Sequence, residues 1–257
     1  MRIIDMNCDM GESYGTYVLG YDELTMPHVT SINVACGFHA SDPDNMAKTV
    51  MLAKKHGIAI GAHPGFPDLV GFGRRSMALT PEEVTNAVTY QVGALDAFCR
   101  AAGIKMQHVK AHGALYNMAE KDLTIATAIA AAIKAINPSL YMLCLANSQM
   151  VVAAKQQEIP FVEEAFADRA YTDEGSLVSR KVAGSVIHEI PQVVNRVVRM
   201  VKDHSVISIN DKEVPIQAQT ICVHGDTPGA VEMVKALRGA LERENIMLRS
   251  FGKQTEM

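Results

Sequence analysis

The sequence predicts an α/β fold of (β/α) barrel type, and three observations carry that prediction. Strand-like and helix-like runs alternate from end to end, which argues a parallel sheet with helices outside. Seven strands can be counted, and each delivers polar side chains at its C-terminal end. In a closed barrel those ends meet on one face, where active sites are built. In an open sheet they would spread along an edge, with a site only where the strand order switches. No linker rich in Gly, Ser or Pro, no low-complexity stretch and no internal repeat divides the chain. Residues 1–257 are therefore expected to form a single domain.

The elements follow in order. RIIDMNCD is the first strand and SINVACG the second, followed by a helix from about Pro43 to His56. IAIGAH is the third strand. A long helix runs from about Thr80 to Ala102, with Thr80 as its cap and Pro81 at the first helical position, where a missing N–H is harmless. MQHVKAH is the fourth strand, before a helix over roughly 121–136. LYMLCLA leads to a helix near 148–157, and FVEEAFA to an irregular segment and a helix near 189–203. VISIN-DK-EVPI reads as a small hairpin. TICVHGD is the seventh barrel strand, a helix from about Pro228 to Asn245 closes the fold, and the tail is expected to fray from about residue 250.

Composition narrows the function. Hydrophobic residues make up 48% and charged residues 20%, ordinary for a globular protein. A net charge of -4 with no basic stripe argues against nucleic acid, and the absence of tryptophan argues against base-stacking platforms. The five cysteines, Cys8, Cys36, Cys99, Cys144 and Cys222, are odd in number and form no CxxC, so a reducing cytoplasm is expected. The acid-containing start MRIIDMNCDMGE does not read as a signal peptide. The longest apolar run, IATAIAAAIKAI, is too short for a membrane span and reads as a buried helix.

The polar strand ends supply the candidate site. They are Asn7, Asp9 and Glu12; His39 and Asp42; His63 and Asp68; Lys110, His112 and Asn117; Asn147; Asp168 and Arg169; His224 and Asp226. In HVKAHGALYN a strand period of two points His108, Lys110 and His112 one way, and Val109 and Ala111 the other. Such a polar face is costly to bury unless it lines a pocket. Asp9, His39 and His63 suit a divalent metal, although the same three can simply hydrogen-bond one another. GFGRR brings Arg74 and Arg75, whose guanidinium forks suit phosphate or carboxylate, behind glycines that admit an anion; a solvated loop is the plain alternative. Lys110 either neutralises an anion or reaches to water. Asp168 and Arg169 either form a structural ion pair or meet substrate. Cys8 and Cys222 read as small core residues. No Walker A motif, GxGxxG after a strand, GxSxG or HExxH is present.

NCDMGE, NVACGFHASD, GAHPGFPDLVGFGRR, HVKAHGALYN, EEAFADRAY and ICVHGD together resemble the LamB/YcsF family, in the same order over about residues 3–245. The family pattern carries Leu at position 10, Gly at 41 and Pro at 111, where this chain has Met10, Ser41 and Ala111; no ionisable group is lost. The resemblance implies a seven-stranded (β/α) barrel of the glycoside hydrolase/deacetylase type. It also implies action with 5-oxoprolinase subunits B and C, opening 5-oxo-L-proline to L-glutamate with ATP as co-substrate. On that expectation Asp9 or Glu12, aided by His39 or His63, is the base for water. Lys110 and His112 meet developing oxygen charge or the substrate carboxylate. Arg74, Arg75 and Arg169 hold phosphate or carboxylate, and Asn117, Asp168, His224 and Asp226 complete the wall. A stand-alone metal-dependent hydrolase, such as a carbohydrate deacetylase, and a purely substrate-binding subunit are the competing readings.

Overall fold

The computed structural model describes residues 2–224 and 229–252. Strand β1 (Arg2–Met10) is joined on one side by β2 (Ser31–Ala35), β3 (Ala59–His63), β4 (Met106–Val109), β5 (Tyr141–Leu145) and β6 (Phe161–Phe166) in order. A later strand, Thr220–Cys222, pairs with both β6 and β1, so the seven strands close into a parallel barrel. That strand is β9, because the hairpin Ser205–Ile207 (β7) and Glu213–Pro215 (β8) precedes it and stays outside the barrel as an antiparallel pair. Among the described residues the α-helices are α1 (Asp22–Thr25), α2 (Pro43–His56), α3 (Pro81–Ala101), α4 (Gly113–Ala119), α5 (Leu123–Ile136), α6 (Gln149–Gln156), α7 (Ile190–Lys202) and α8 (Ala230–Arg243).

Local chemistry sets the helix ends. Asp42 accepts from the N–H groups of Asp44 and Asn45, capping α2 ahead of Pro43. That role explains its place after β2 without a catalytic one. Thr80 and Glu83 form a reciprocal capping box at α3, with Pro81 at the first position as predicted. Asp122 caps α5.

Three features depart from the sequence reading. A tenth strand, β10 (Ile246–Leu248), pairs in parallel with the first residues of β1. The tail expected to fray from about residue 250 packs as far as Phe251, whose ring meets those of His108 and Tyr141 at 5.3 Å. A short helix, α4, comes between HVKAH and the helix expected over roughly 121–136. The β4 backbone nevertheless keeps following β3, because Lys110 N–H donates to the Ala62 carbonyl and His112 N–H to that of Pro64.

The barrel interior is polar. Ile4, Met6, Cys8 and Met10 of β1 belong to the hydrophobic core, while Asp5, Asn7 and Asp9 make hydrogen bonds across the barrel. Asp5 accepts from Thr30, Ser31 and Thr220. Asn7 donates to Glu164 and Thr220 and accepts from Asn33 at 2.7 Å, and Asn33 in turn accepts from His108 at 2.7 Å. Gly61 is what admits the His108 ring: a Cβ there would lie 2.1 Å from it.

Burial pushes the Asp5 carboxyl up to about 6, against the pull of its three hydroxyl donors. Its folded value therefore exceeds the unfolded one, so the folded form binds the extra proton. Stability should be highest below pH 4 for this group and be lost as pH rises towards 6, by about 3 kcal/mol at neutral pH. Asp5→Asn retains an acceptor oxygen and removes the charge. It should raise the urea midpoint at pH 7 and flatten the pH dependence between 4 and 6. Parallel pH curves for the two proteins would refute this account.

Candidate active site

The C-terminal ends of the strands enclose a cavity of about 440 Å³. Its floor is the Lys110 ammonium, buried and 3.1 Å from Asp9 Oδ1, 3.0 Å from Glu164 Oε1 and 3.0 Å from Cys222 Sγ. Burial acts to lower the lysine pKa, but Asp9 and its neighbours more than offset that and hold it well above the ordinary value. Burial likewise acts to raise Asp9, and His63 and Lys110 hold it well below the usual carboxylate range. Both groups are therefore charged. Glu164 accepts from the Tyr116 hydroxyl at 2.8 Å as well as from Asn7, so each charge of the buried trio is hydrogen-bonded.

One wall is a histidine cluster. His39 lies parallel on His112 with centroids 3.6 Å apart, and His63 meets both rings edge-on. Burial first, and then neighbouring histidines, push His39 and His112 well below the ordinary histidine value. Glu12 faces the cluster, 3.6 Å from His39 Nε2 and 3.9 Å from His112 Nδ1. Glu12, His39, His63 and His112 together can hold a metal ion. This set differs from the expected Asp9, His39 and His63, because Asp9 Oδ1 is engaged by Lys110 and Asn33.

GFGRR closes over the histidine cluster. Its Phe72 ring meets the edges of His39 and His112, the Phe72 carbonyl accepts from His112 Nε2 at 2.8 Å, and a Cβ at Gly73 would lie 2.8 Å from each histidine. The glycine lets the loop close over the cluster. Arg74 lines the cavity, whereas Arg75 is exposed and forms a bidentate pair with Asp68.

On the opposite wall His224 Nδ1 lies 2.8 Å from both oxygens of buried Asp168, and Arg180 donates to His224 Nε2 at 2.9 Å. Burial raises the Asp168 carboxyl and His224 more than offsets it, leaving it low. Asp168 therefore partners His224 rather than Arg169. Arg169 lines the cavity but donates to the carbonyls of Ser185 and Val178, tying down the segment after β6. Burial, with Arg180 nearby, lowers it to about 10.

Of the expected residues, Asp9, Glu12, His63, Arg74, Lys110, His112, Asn117, Arg169 and His224 line this one cavity, with His39 and Asp168 directly behind. Asp226 lies outside the described residues. Cys222, read as a core residue, contacts the Lys110 ammonium. The sequence reading missed Glu164, Tyr116, Glu120 and Arg180. For Glu164 the signal was present: it shares strand parity with Asp168 in FVEEAFAD.

A LamB/YcsF family model matches residues 4–256. The chain is 54% identical over 246 residues to the 5-oxoprolinase A subunit of Clostridium beijerinckii, covering 96% of each chain. It is 51% identical over 252 residues to the second 5-oxoprolinase A subunit of Bradyrhizobium diazoefficiens, covering 98% of each. The crystal structure of a lactam utilization protein from Thermus thermophilus superposes with a TM-score of 0.93 at 46% identity, over 97% of this chain and 100% of that one. A putative cellobiose-phosphate cleavage protein of Enterococcus faecalis shares the fold alone, at TM-score 0.57 and 16% identity, with 97% of each chain covered. No helix among the described residues is long and apolar enough to cross a membrane. The match along the whole chain and the shared barrel agree: the chain belongs to the LamB/YcsF family.

Proposed function

We propose that this single-domain chain is the lactam-opening subunit of an ATP-dependent 5-oxoprolinase, hydrolysing 5-oxo-L-proline to L-glutamate in the cytoplasm together with subunits B and C. One observation carries the reading: a buried lysine held cationic, a carboxylate–histidine cluster and an aspartate–histidine dyad face one small cavity rimmed by arginines. The names of relatives at 50–54% identity point the same way.

The chemistry follows from charge. A lactam is a resonance-stabilised amide, and coupling to ATP hydrolysis drives its opening. Attack on its carbonyl carbon puts negative charge on the oxygen, and Lys110, charged before substrate arrives, stabilises that charge without reorganising. Asp9, kept ionised by Lys110 and His63, takes the proton from the attacking water through Oδ2, the oxygen turned towards His63 at 3.3 Å. A divalent cation on the Glu12 and histidine cluster would supply Lewis acidity beside that water. His224, whose Nδ1 is fixed by Asp168, takes up a proton from solvent at Nε2 once that atom is free and passes it to the departing nitrogen. Arg180 donates to that same Nε2. An arriving substrate carboxylate draws Arg180 away and, with Arg74, anchors the ring. Asn117 and Arg169 shape the rest of the wall.

Glutamate release from 5-oxo-L-proline and ATP tests the reading, with this chain alone, with subunits B and C alone, and with all three. Glutamate is expected only from the complete mixture. Equal release by B and C without this chain would refute a catalytic role.

A further inference from the structure

Two backbone carbonyls fix the tautomers of the histidine cluster. His63 Nδ1 lies 2.8 Å from the Lys110 carbonyl oxygen, and His112 Nε2 lies 2.8 Å from that of Phe72. A carbonyl oxygen only accepts, so both nitrogens carry hydrogen. With no further proton the remaining nitrogens, His63 Nε2 and His112 Nδ1, face each other 2.9 Å apart as lone pairs, and Asp9 Oδ2 lies 3.3 Å from the first of them. Lone pairs at that distance repel. A positive centre must lie between or beside them, and it is either a shared proton or a metal ion.

A proton there would serve His63, His112 and Asp9. His39 remains, stacked on His112, with both ring nitrogens buried and no hydrogen-bond partner. Its Nε2 is directed to the same point, 3.6 Å from Glu12 Oε1. One donor atom from each of Glu12, His39, His63 and His112 falls within 4.8 Å of the others. Donor atoms on a tetrahedral ion with bonds of about 2.0–2.2 Å stand roughly 3–3.5 Å apart, so the cluster needs only a small contraction.

We propose that Glu12, His39, His63 and His112 bind one divalent transition-metal cation. Three imidazoles and one carboxylate favour a zinc-like ion over magnesium or calcium. The carbonyls of Lys110 and Phe72 hold two of the ligands in the required tautomer. GFGRR seals the site, which is why it needs Gly73 at the contact with both rings. Asp9 is a neighbour and not one of the four: its Oδ1 already receives Lys110 and Asn33, and its Oδ2, 3.3 Å from His63 Nε2, is left to meet the attacking water. The second group of donors among the described residues, Asp9, Cys222 and His224, holds no second ion, because the Lys110 ammonium already touches two of its three members. This inference rests on the lactam-hydrolase reading for the role of the metal and stands on geometry for its presence.

The test uses the full chain, stripped with a chelator and titrated with zinc by calorimetry, with cobalt absorption reporting the ligand field. One equivalent should bind. His39→Ala and His112→Ala should each weaken binding by about 100-fold or more, while Asp9→Asn stays within about tenfold of the parent. Circular dichroism establishes that each variant is folded. Uptake below about a tenth of an equivalent by the folded parent at micromolar zinc, well under the affinities of such sites, overturns the proposal and leaves the shared proton. Equal affinity of the parent and His39→Ala overturns it as well. Neither result depends on glutamate release, so failure of the metal site and failure of the lactamase reading are distinguishable.

Discussion

Lys110→Met should abolish glutamate release by the assembled enzyme and lower the stability of the chain by about 3–5 kcal/mol. Methionine keeps the length of the side chain and removes its charge. Asp9 and Glu164 would then lie buried with no cation between them, where the ammonium now stands 3.1 and 3.0 Å away. The protein would respond by taking up a proton on one carboxylate or by admitting water, and both are costly. The interpretation has an internal control. Glu164→Gln removes one of the two stranded charges and keeps an acceptor for the Tyr116 hydroxyl. Lys110→Met with Glu164→Gln should therefore recover a large part of the lost stability while staying inactive, a coupling that urea unfolding of the four proteins measures directly. A double variant no more stable than Lys110→Met would show that the trio is not electrostatically coupled.

The second large effect concerns the opposite wall. His224→Asn should lower kcat by roughly 10²–10⁴ with little change in the urea midpoint, because this histidine is only partly buried and acts in proton transfer. Asp168→Asn should lower kcat by about as much while leaving His224 in place. An amide cannot stabilise an imidazolium as the carboxylate does, so Nε2 no longer gathers the proton that it must deliver to the departing nitrogen. The pair of variants should change kcat far more than KM. A full-rate Asp168→Asn enzyme would remove the dyad from the mechanism.

How much of this was legible beforehand depends on whether a residue's role is local. The parity of HVKAH was enough to place His108, Lys110 and His112 on one face, because a strand alternates whatever surrounds it. The clustering of the polar strand ends was legible for the same reason, once the alternation of elements implied a barrel. Pairings across the barrel were not. Asp168 and Arg169 are adjacent in sequence, yet in the segment after β6 they turn to different partners: Arg169 meets the Ser185 and Val178 carbonyls, and Asp168 meets His224, 56 residues on. Arg74 and Arg75 are indistinguishable in a string of letters, and only the turn that brings Asp68 under Arg75 tells them apart. Helix α4 was hidden because it is seven residues long and begins at a glycine. Strand β10 was hidden because three residues carry no periodicity, and its pairing with β1 spans almost the whole chain.

That last pairing bears on how the protein is made. The first strand needs β9 along its middle and β10 along its base, with registers that join Asp5 to Thr220 and Arg2 to Ile246. During synthesis β1 emerges early, and its stripe of Asp5, Asn7 and Asp9 has no Glu164 to meet until residue 164 of 257 is made, and no Thr220 until residue 220. The barrel must close late, when β9 meets β1, and such non-local closure is slow. The nascent chain thus spends most of its synthesis as an open sheet with one edge of its first strand unpaired, the stage at which a chaperone or a neighbouring copy would find it.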